Sequence, residues 1–215
     1  LWAMVLSILA TIILQEMAAR LGIISQKGLS EIISSEIHNP IINKLMMLLI
    51  LSAIFVGNAS YEAGNISGGI LGLETIVGEQ KIHLVGYSIN LLSIVIGVIA
   101  FGLLYIGNYK FLEKVLVGLV LVMSISFLIT AFLTKPDIIG IIKGAFIPSA
   151  PEGSLLTIIG LIGTTVVPYN LFLHASLVKE KWSNQNDLKA VQKDTIVSIV
   201  LGGLVSMAII ISASS

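Results

Sequence analysis

The sequence predicts an all-α protein that crosses a membrane several times, and three observations carry that expectation. Hydrophobic residues make up 56% of the 215 and charged residues only 11%, against roughly a quarter charged in soluble domains, and the mean hydropathy is +1.02. Charge-poor stretches recur at a length that crosses hydrocarbon, which takes about 20 apolar residues per helix. Lys and Arg are shared unevenly between alternate connections, as in membrane proteins whose basic loops stay cytoplasmic. The chain reads as one transmembrane domain with six spans, at approximately 1–19, 45–73, 84–106, 115–134, 154–178 and 195–215.

The first span leaves the membrane at Glu16 and Arg20, four residues apart and able to pair on one helix face near the interface. Residues 18–43 then form a connection in which Glu31 and Glu36 flank isoleucines at helical spacing, the pattern of a short surface helix. His38 and His83 are expected in loops. Nine basic residues (Arg20, Lys27, Lys44, Lys110, Lys114, Lys179, Lys181, Lys189, Lys193) fall in one set of loops, and three (Lys81, Lys135, Lys143) in the other. The first span therefore runs from outside to inside. Leu1 opens within an apolar run with neither an initiator Met nor a basic segment, and Ser215 follows directly on a span, so a longer protein is expected on both sides.

The second span holds a polar and glycine-rich stretch from Gly57 to Gly72, with five glycines besides Asn58, Ser60, Tyr61, Glu62, Asn65 and Ser67. Gly64, Gly68 and Gly72 have the spacing associated with close helix packing. Asn58, Glu62 and Asn65 share one face, expected to point into a bundle or a water-filled cavity. Glu62 is the charged residue set well inside a span, where an ionisable group costs roughly 2.5 to 3.5 kcal/mol on insertion scales. It is either a functional carboxyl or one that joins helices by hydrogen bonding. Asn58 and Asn65 have the same two readings.

The fifth span is the most informative. From Ser154 to Val178 it has no Lys, Arg, Asp or Glu, yet Pro168 sits in its middle. Proline removes a backbone donor and clashes one turn back, so the helix is expected to break near 164–168. Thr164, Thr165, Tyr169, Asn170 and His174 surround the break with polar groups. Interrupted membrane helices are where transporters coordinate ions, through unwound carbonyls near the midplane. His174 titrates near neutral pH in its unperturbed state, and its other reading is a hydrogen-bonded structural residue.

Other function classes are disfavoured. A net charge of zero lacks the basic surface that nucleic acid requires. Without cysteine there is neither a disulfide nor a thiolate ligand. No His-Glu-x-x-His or Gly-x-Ser-x-Gly motif suggests an enzyme.

The run Val-Val-Pro-Tyr-Asn-Leu-Phe-Leu-His-Ala-Ser from Val166 to Ser176 resembles the sixth transmembrane helix of the Nramp divalent-metal transporters, typically Met-Pro-His-Asn-Leu-Tyr-Leu-His-Ser. Leu14 to Leu29 is similar to the end of the family's second helix and the loop after it. Leu112 to Lys114 matches the segment before its fifth helix. The resemblance covers the chain as family helices two to seven and implies part of a LeuT-type inverted-repeat bundle. It also implies transport of a divalent metal ion by alternating access, with the ion as cargo and no cofactor. The implied partners are the lipid bilayer and the remaining helices of the same protein, and the implied location is a bacterial plasma membrane.

The departures from the family pattern bear on the ion. The family's alanine carbonyl and methionine sulfur ligands correspond to Thr164 and Val167, so the soft thioether is missing. Oxygen shells suit hard cations such as magnesium, whereas thioether suits transition metals. The family's histidine after the proline is Tyr169. Its third-helix Asp-Leu-Ala-Glu aligns with Asn58 to Tyr61, which lack both carboxylates, and Glu62 is one position out of register. This pattern resembles the Nramp-related magnesium branch, whose transport is not proton-coupled. The alternatives are a proton-coupled manganese or iron carrier, a LeuT-fold carrier of organic solutes, and a non-transporting membrane subunit.

Overall fold

The computed structural model describes residues 1–84, 87–107, 109–182 and 184–214. Its elements are almost all helical: α1 Trp2–Ser25, α2 Leu29–Glu36, α3 Pro40–Val77, α4 Leu91–Ile106, α5 Tyr109–Leu133, α6 Ile138–Phe146, α7 Leu155–Thr165, α8 Pro168–Lys181 and α9 Leu188–Ser214. Two short strands, β1 Lys81–Leu84 and β2 Tyr87–Asn90, pair antiparallel ahead of α4. Among the described residues five helices are long and apolar enough to cross a membrane, with α7 and α8 counted together.

Hydropathy misplaces several boundaries, each for a local reason. The third span begins at Leu91 rather than 84 because the hairpin takes the residues before it, and Asn90 caps α4 by accepting from the Leu92 N–H at 3.0 Å. His83 thus belongs to β1, not to a loop. Val85 and Gly86 of that expected span, and Ser215 of the last, lie outside the described residues. The second span extends to both sides as a helix of 38 residues. It starts at Pro40, which suits a first helical position because that N–H has no helical partner anyway. The Asn39 side chain caps it from the preceding turn, accepting from Ile41 N–H at 2.9 Å. The loop after α5 contains α6, started by Asp137, whose carboxylate accepts from Ile139 N–H at 3.0 Å.

The chain divides into two compact units. One comprises Leu1–Leu51 and Val122–Ser215. In it α1 lies against α6, α7, α8 and α9. Its buried positions are mostly small: Ala3, Ser7, Thr11, Ala18, Ala19 and Gly22. Small residues let helix backbones approach. At Gly22 a Cβ would lie 2.5 Å from the Ala175 carbonyl oxygen, so only glycine fits beneath α8. Further along, Ala19, Ile23, Val178 and Val191 form a buried cluster flanked by Trp182 and Leu188.

Polar ties complete this end of the unit. Gln26, in left-handed conformation at φ 53°, ends α1 and donates through its side chain to the carbonyls of Ile23 at 2.9 Å and Trp182 at 3.2 Å. Gln185 donates to the Ile24 carbonyl at 3.0 Å. The expected Glu16–Arg20 pair forms at 2.6 Å, and Gln192 of α9 donates to the same carboxylate oxygen at 2.5 Å. The short helix between the first two spans is present as α2, and Lys179 of α8 donates to Glu31 at 3.2 Å.

The other unit comprises Ser52–Leu121. Its α3 segment is tied to the start of α4, where the Asn90 amide donates to Glu74 at 2.7 Å. The glycine spacing in α3 marks a face that is open among the described residues. A Cβ at Gly64, Gly68 or Gly72 would meet nothing within 4 Å, while Gly69 faces Ile96 of α4 at 3.6 Å. Spacing marks a face that can pack closely, but no described backbone occupies that face.

Candidate functional site

The fifth span is interrupted. α7 ends at Thr165, α8 begins at Pro168, and Val166 and Val167 between them are not helical. Pro168 has no N–H with which to close a helical bond onto the Thr164 carbonyl, and its ring drives the preceding residue into extended geometry. Val167 accordingly lies at φ −93° and ψ 127°. Val166 N–H still bonds the Ile162 carbonyl at 2.9 Å, and Asn170 N–H bonds the Val167 carbonyl at 3.1 Å. The gap is therefore short, with the end of one half-helix facing the start of the next. Carbonyls gather at a helix C-terminus and N–H groups at an N-terminus, giving fields of opposite sign across such a break.

The predicted residues distribute around it as follows. Thr164 occupies the last turn of α7, and its hydroxyl donates to the carbonyl of Gly160 at 2.8 Å. Thr165 does the same toward Leu161 at 2.8 Å. Both hydroxyl protons thus serve the turn before the break. Val167 stands in the gap, half-buried, and Tyr169 and Asn170 lie half-buried in the first turn of α8. His174, one turn further, has its Nε2 3.0 Å from the Thr195 hydroxyl of α9. Sequence reasoning missed Thr195. It is a buried polar residue, 3% exposed, near the start of an apolar helix, and that burial is visible only once α9 is packed on α1 and α8.

Asn58, Tyr61, Glu62 and Asn65 belong to the other unit, on α3. The Asn65 amide donates to Glu62 at 3.4 Å, which brings those two side chains together on α3. Asn58, Glu62 and Asn65 are exposed there, and Tyr61 is half-buried. Among the described residues no group of three or more His, Cys, Asp or Glu side chains could hold a metal. The donors near the break are backbone carbonyls, hydroxyls and an amide.

Membrane-length helices, one of them broken at its centre with polar groups around the gap, define a multi-pass integral membrane protein of the discontinuous-helix kind. The profile of one family, described as Nramp, Natural resistance-associated macrophage protein-like, matches residues 1–215. The chain belongs to the Nramp family.

Three bacterial relatives share the name Divalent metal cation transporter MntH. The one from Bacillus subtilis (strain 168) is 25% identical over 224 residues, covering 100% of this chain and 50% of the relative. The one from Bradyrhizobium diazoefficiens is 28% identical over 223 residues, covering 98% and 46%. The one from Verminephrobacter eiseniae is 25% identical over 223 residues, covering 100% and 48%. The chain spans about half the length of the curated relatives it matches. Their names describe transporters and no enzyme.

Proposed function

We propose that the protein containing this chain carries divalent metal cations across the plasma membrane by alternating access within a LeuT-type bundle, the cation being cargo. The interruption at Val166–Val167, within a chain that belongs to a family with divalent-metal transporters, carries this reading. A partly hydrated cation sits at the break. The Thr164 carbonyl supplies one ligand, Val167 lines the site, and Tyr169 and Asn170 offer oxygens to the ion or its waters.

The cation is a hard one such as magnesium, moved without proton coupling. Val167 supports this, because an aliphatic side chain offers no electron pair where a thioether would favour a transition metal. Magnesium also keeps several of its waters, and the polar side chains around the gap suit a hydrated ion. A second reading, proton-coupled manganese or iron transport, is compatible with the relatives' name, Divalent metal cation transporter, and with the presence of His174 in the fifth span.

The test is uptake of magnesium and of manganese by the full-length protein in proteoliposomes, with internal pH recorded and Val167→Met measured alongside. Magnesium entry without acidification, and a shift toward manganese in Val167→Met, is the expected result. Manganese-only entry accompanied by acidification returns the protein to the second reading.

A further inference from the structure

α8 and α9 both pack on α1, and polar side chains tie them to each other. Lys181 meets Asp194 at 3.0 Å at the exposed end of α8. Two turns back toward the break, His174 Nε2 lies 3.0 Å from the Thr195 hydroxyl. Thr195 is buried, at 3% exposed, and His174 is half-buried. The direction of this hydrogen bond decides the chemistry of the ring, because a neutral imidazole donates through one nitrogen and accepts through the other.

Hydroxyls in these helices ordinarily donate to the carbonyl one turn back. Ser7, Thr11, Thr130, Ser176 and Ser212 all do so. Thr195 departs from this pattern: among the described residues its hydroxyl is bonded to His174 and to no backbone carbonyl. A buried hydroxyl keeps its proton bonded, so the proton goes to the acceptor in reach, which is Nε2. The ring proton then sits on Nδ1, since the bond made by one nitrogen sets the state of the other. Asp194, next to Thr195 in the chain, is turned to Lys181 and bonds neither side chain.

The geometry points to Thr195 as a positioning residue that holds His174 as a neutral, Nδ1-protonated imidazole with no electron pair free for a passing cation. The pair on Nε2 is engaged by the hydroxyl, and Nδ1 carries the proton. Imidazole binds transition metals through an unprotonated nitrogen. His174 lies on the half-helix that follows the break, where a free pair would add a nitrogen ligand to a path otherwise supplied with oxygens. Thr195 withholds that ligand and so favours a hard cation. The consequence for selectivity rests on the transport reading above, whereas the tautomer does not.

The test is nitrogen NMR of the full-length protein with labelled histidine, the His174 signals being those lost in His174→Gln, in buffer more alkaline than the ordinary imidazole range. The expected result is a proton on Nδ1 in the parent and in Thr195→Ser, and on Nε2 in Thr195→Val, the form that free neutral histidine favours. A parent protonated on Nε2 would overturn the proposal, and so would a tautomer unchanged in Thr195→Val. Uptake by the same proteins gives the second readout. Thr195→Val should raise manganese entry relative to magnesium by about tenfold, the scale on which groups that orient a histidine alter metal affinity. Thr195→Ser should keep the parent ratio, and adding His174→Gln to Thr195→Val should restore it. A switched tautomer with an unchanged ratio would overturn the role in selectivity. A parent that moves neither metal would count against the transport reading instead, and the NMR result would still decide what Thr195 does to His174.

Discussion

Gly22 and Gly203 both lie where helices meet, but they do not resist substitution equally. A Cβ on Gly203 would press on the side chain of Ile8, whose free end can turn away, whereas one on Gly22 would press on the Ala175 backbone, which cannot. Gly22→Val should therefore destabilise the full-length protein by about 1 to 3 kcal/mol, the usual cost of overpacking, and Gly203→Ala by much less. Thermal unfolding of the two variants in one detergent checks the order. Thr195→Val removes the hydroxyl bonded to His174, and such a bond between membrane helices is worth only about 0.6 kcal/mol on average. Its effect on unfolding should therefore fall below that of Gly22→Val. Glu31, at the surface, is held below its ordinary carboxylate range, chiefly by the Gly28 N–H and then by the Lys179 ammonium. A depressed carboxyl contributes stability above its unfolded value, and that contribution disappears as pH falls through the folded value. The tie between α2 and α8 should thus persist at neutral pH and weaken only in acid below the ordinary glutamate range. Hydrogen exchange over Leu29–Glu36 should show this loss in the parent and not in Glu31→Gln.

At the level of elements, the sequence was most legible where one residue overrides the hydropathy pattern. Pro168 announced the break because no helix can pass it without losing a bond, and Glu16 with Arg20 announced a pair because four residues bring them to one face. The hairpin before α4 was hidden. Ile82, Leu84, Val85 and Ile89 are as apolar as a span, so composition alone could not separate strand from helix. α6 had a usable signal, Pro136-Asp137 ahead of an apolar stretch, which is how a capped helix begins. The small residues of α1 were present in the sequence but said nothing of their partner, and the face that the glycines of α3 mark is open among the described residues. Pro168→Ala restores an N–H at the break and should let α7 and α8 join into one helix. We expect this variant to lose metal uptake while unfolding at an equal or higher temperature. Retained uptake would show that the interruption is not needed.

The whole molecule presents helices of unequal length to a layer of fixed thickness. α3, with 38 residues, is about 57 Å long. It has more than enough length for a hydrocarbon layer of about 30 Å. α4 has 16 residues and is about 24 Å long, yet the alternation of basic loops requires it to cross. The difference of about 6 Å has to be met by tilting neighbours, by interfacial side chains reaching outward, or by the bilayer becoming thinner beside α4. Each ångström of such mismatch costs a fraction of a kcal/mol. Vesicles of shorter acyl chains should therefore support faster uptake by the full-length protein than vesicles of longer ones, and lengthening α4 by one apolar turn should move the optimum toward thicker bilayers. A helix that stops early thus makes membrane thickness itself a variable that tunes the protein, and would sort it toward the thinner regions of any membrane with lateral variation.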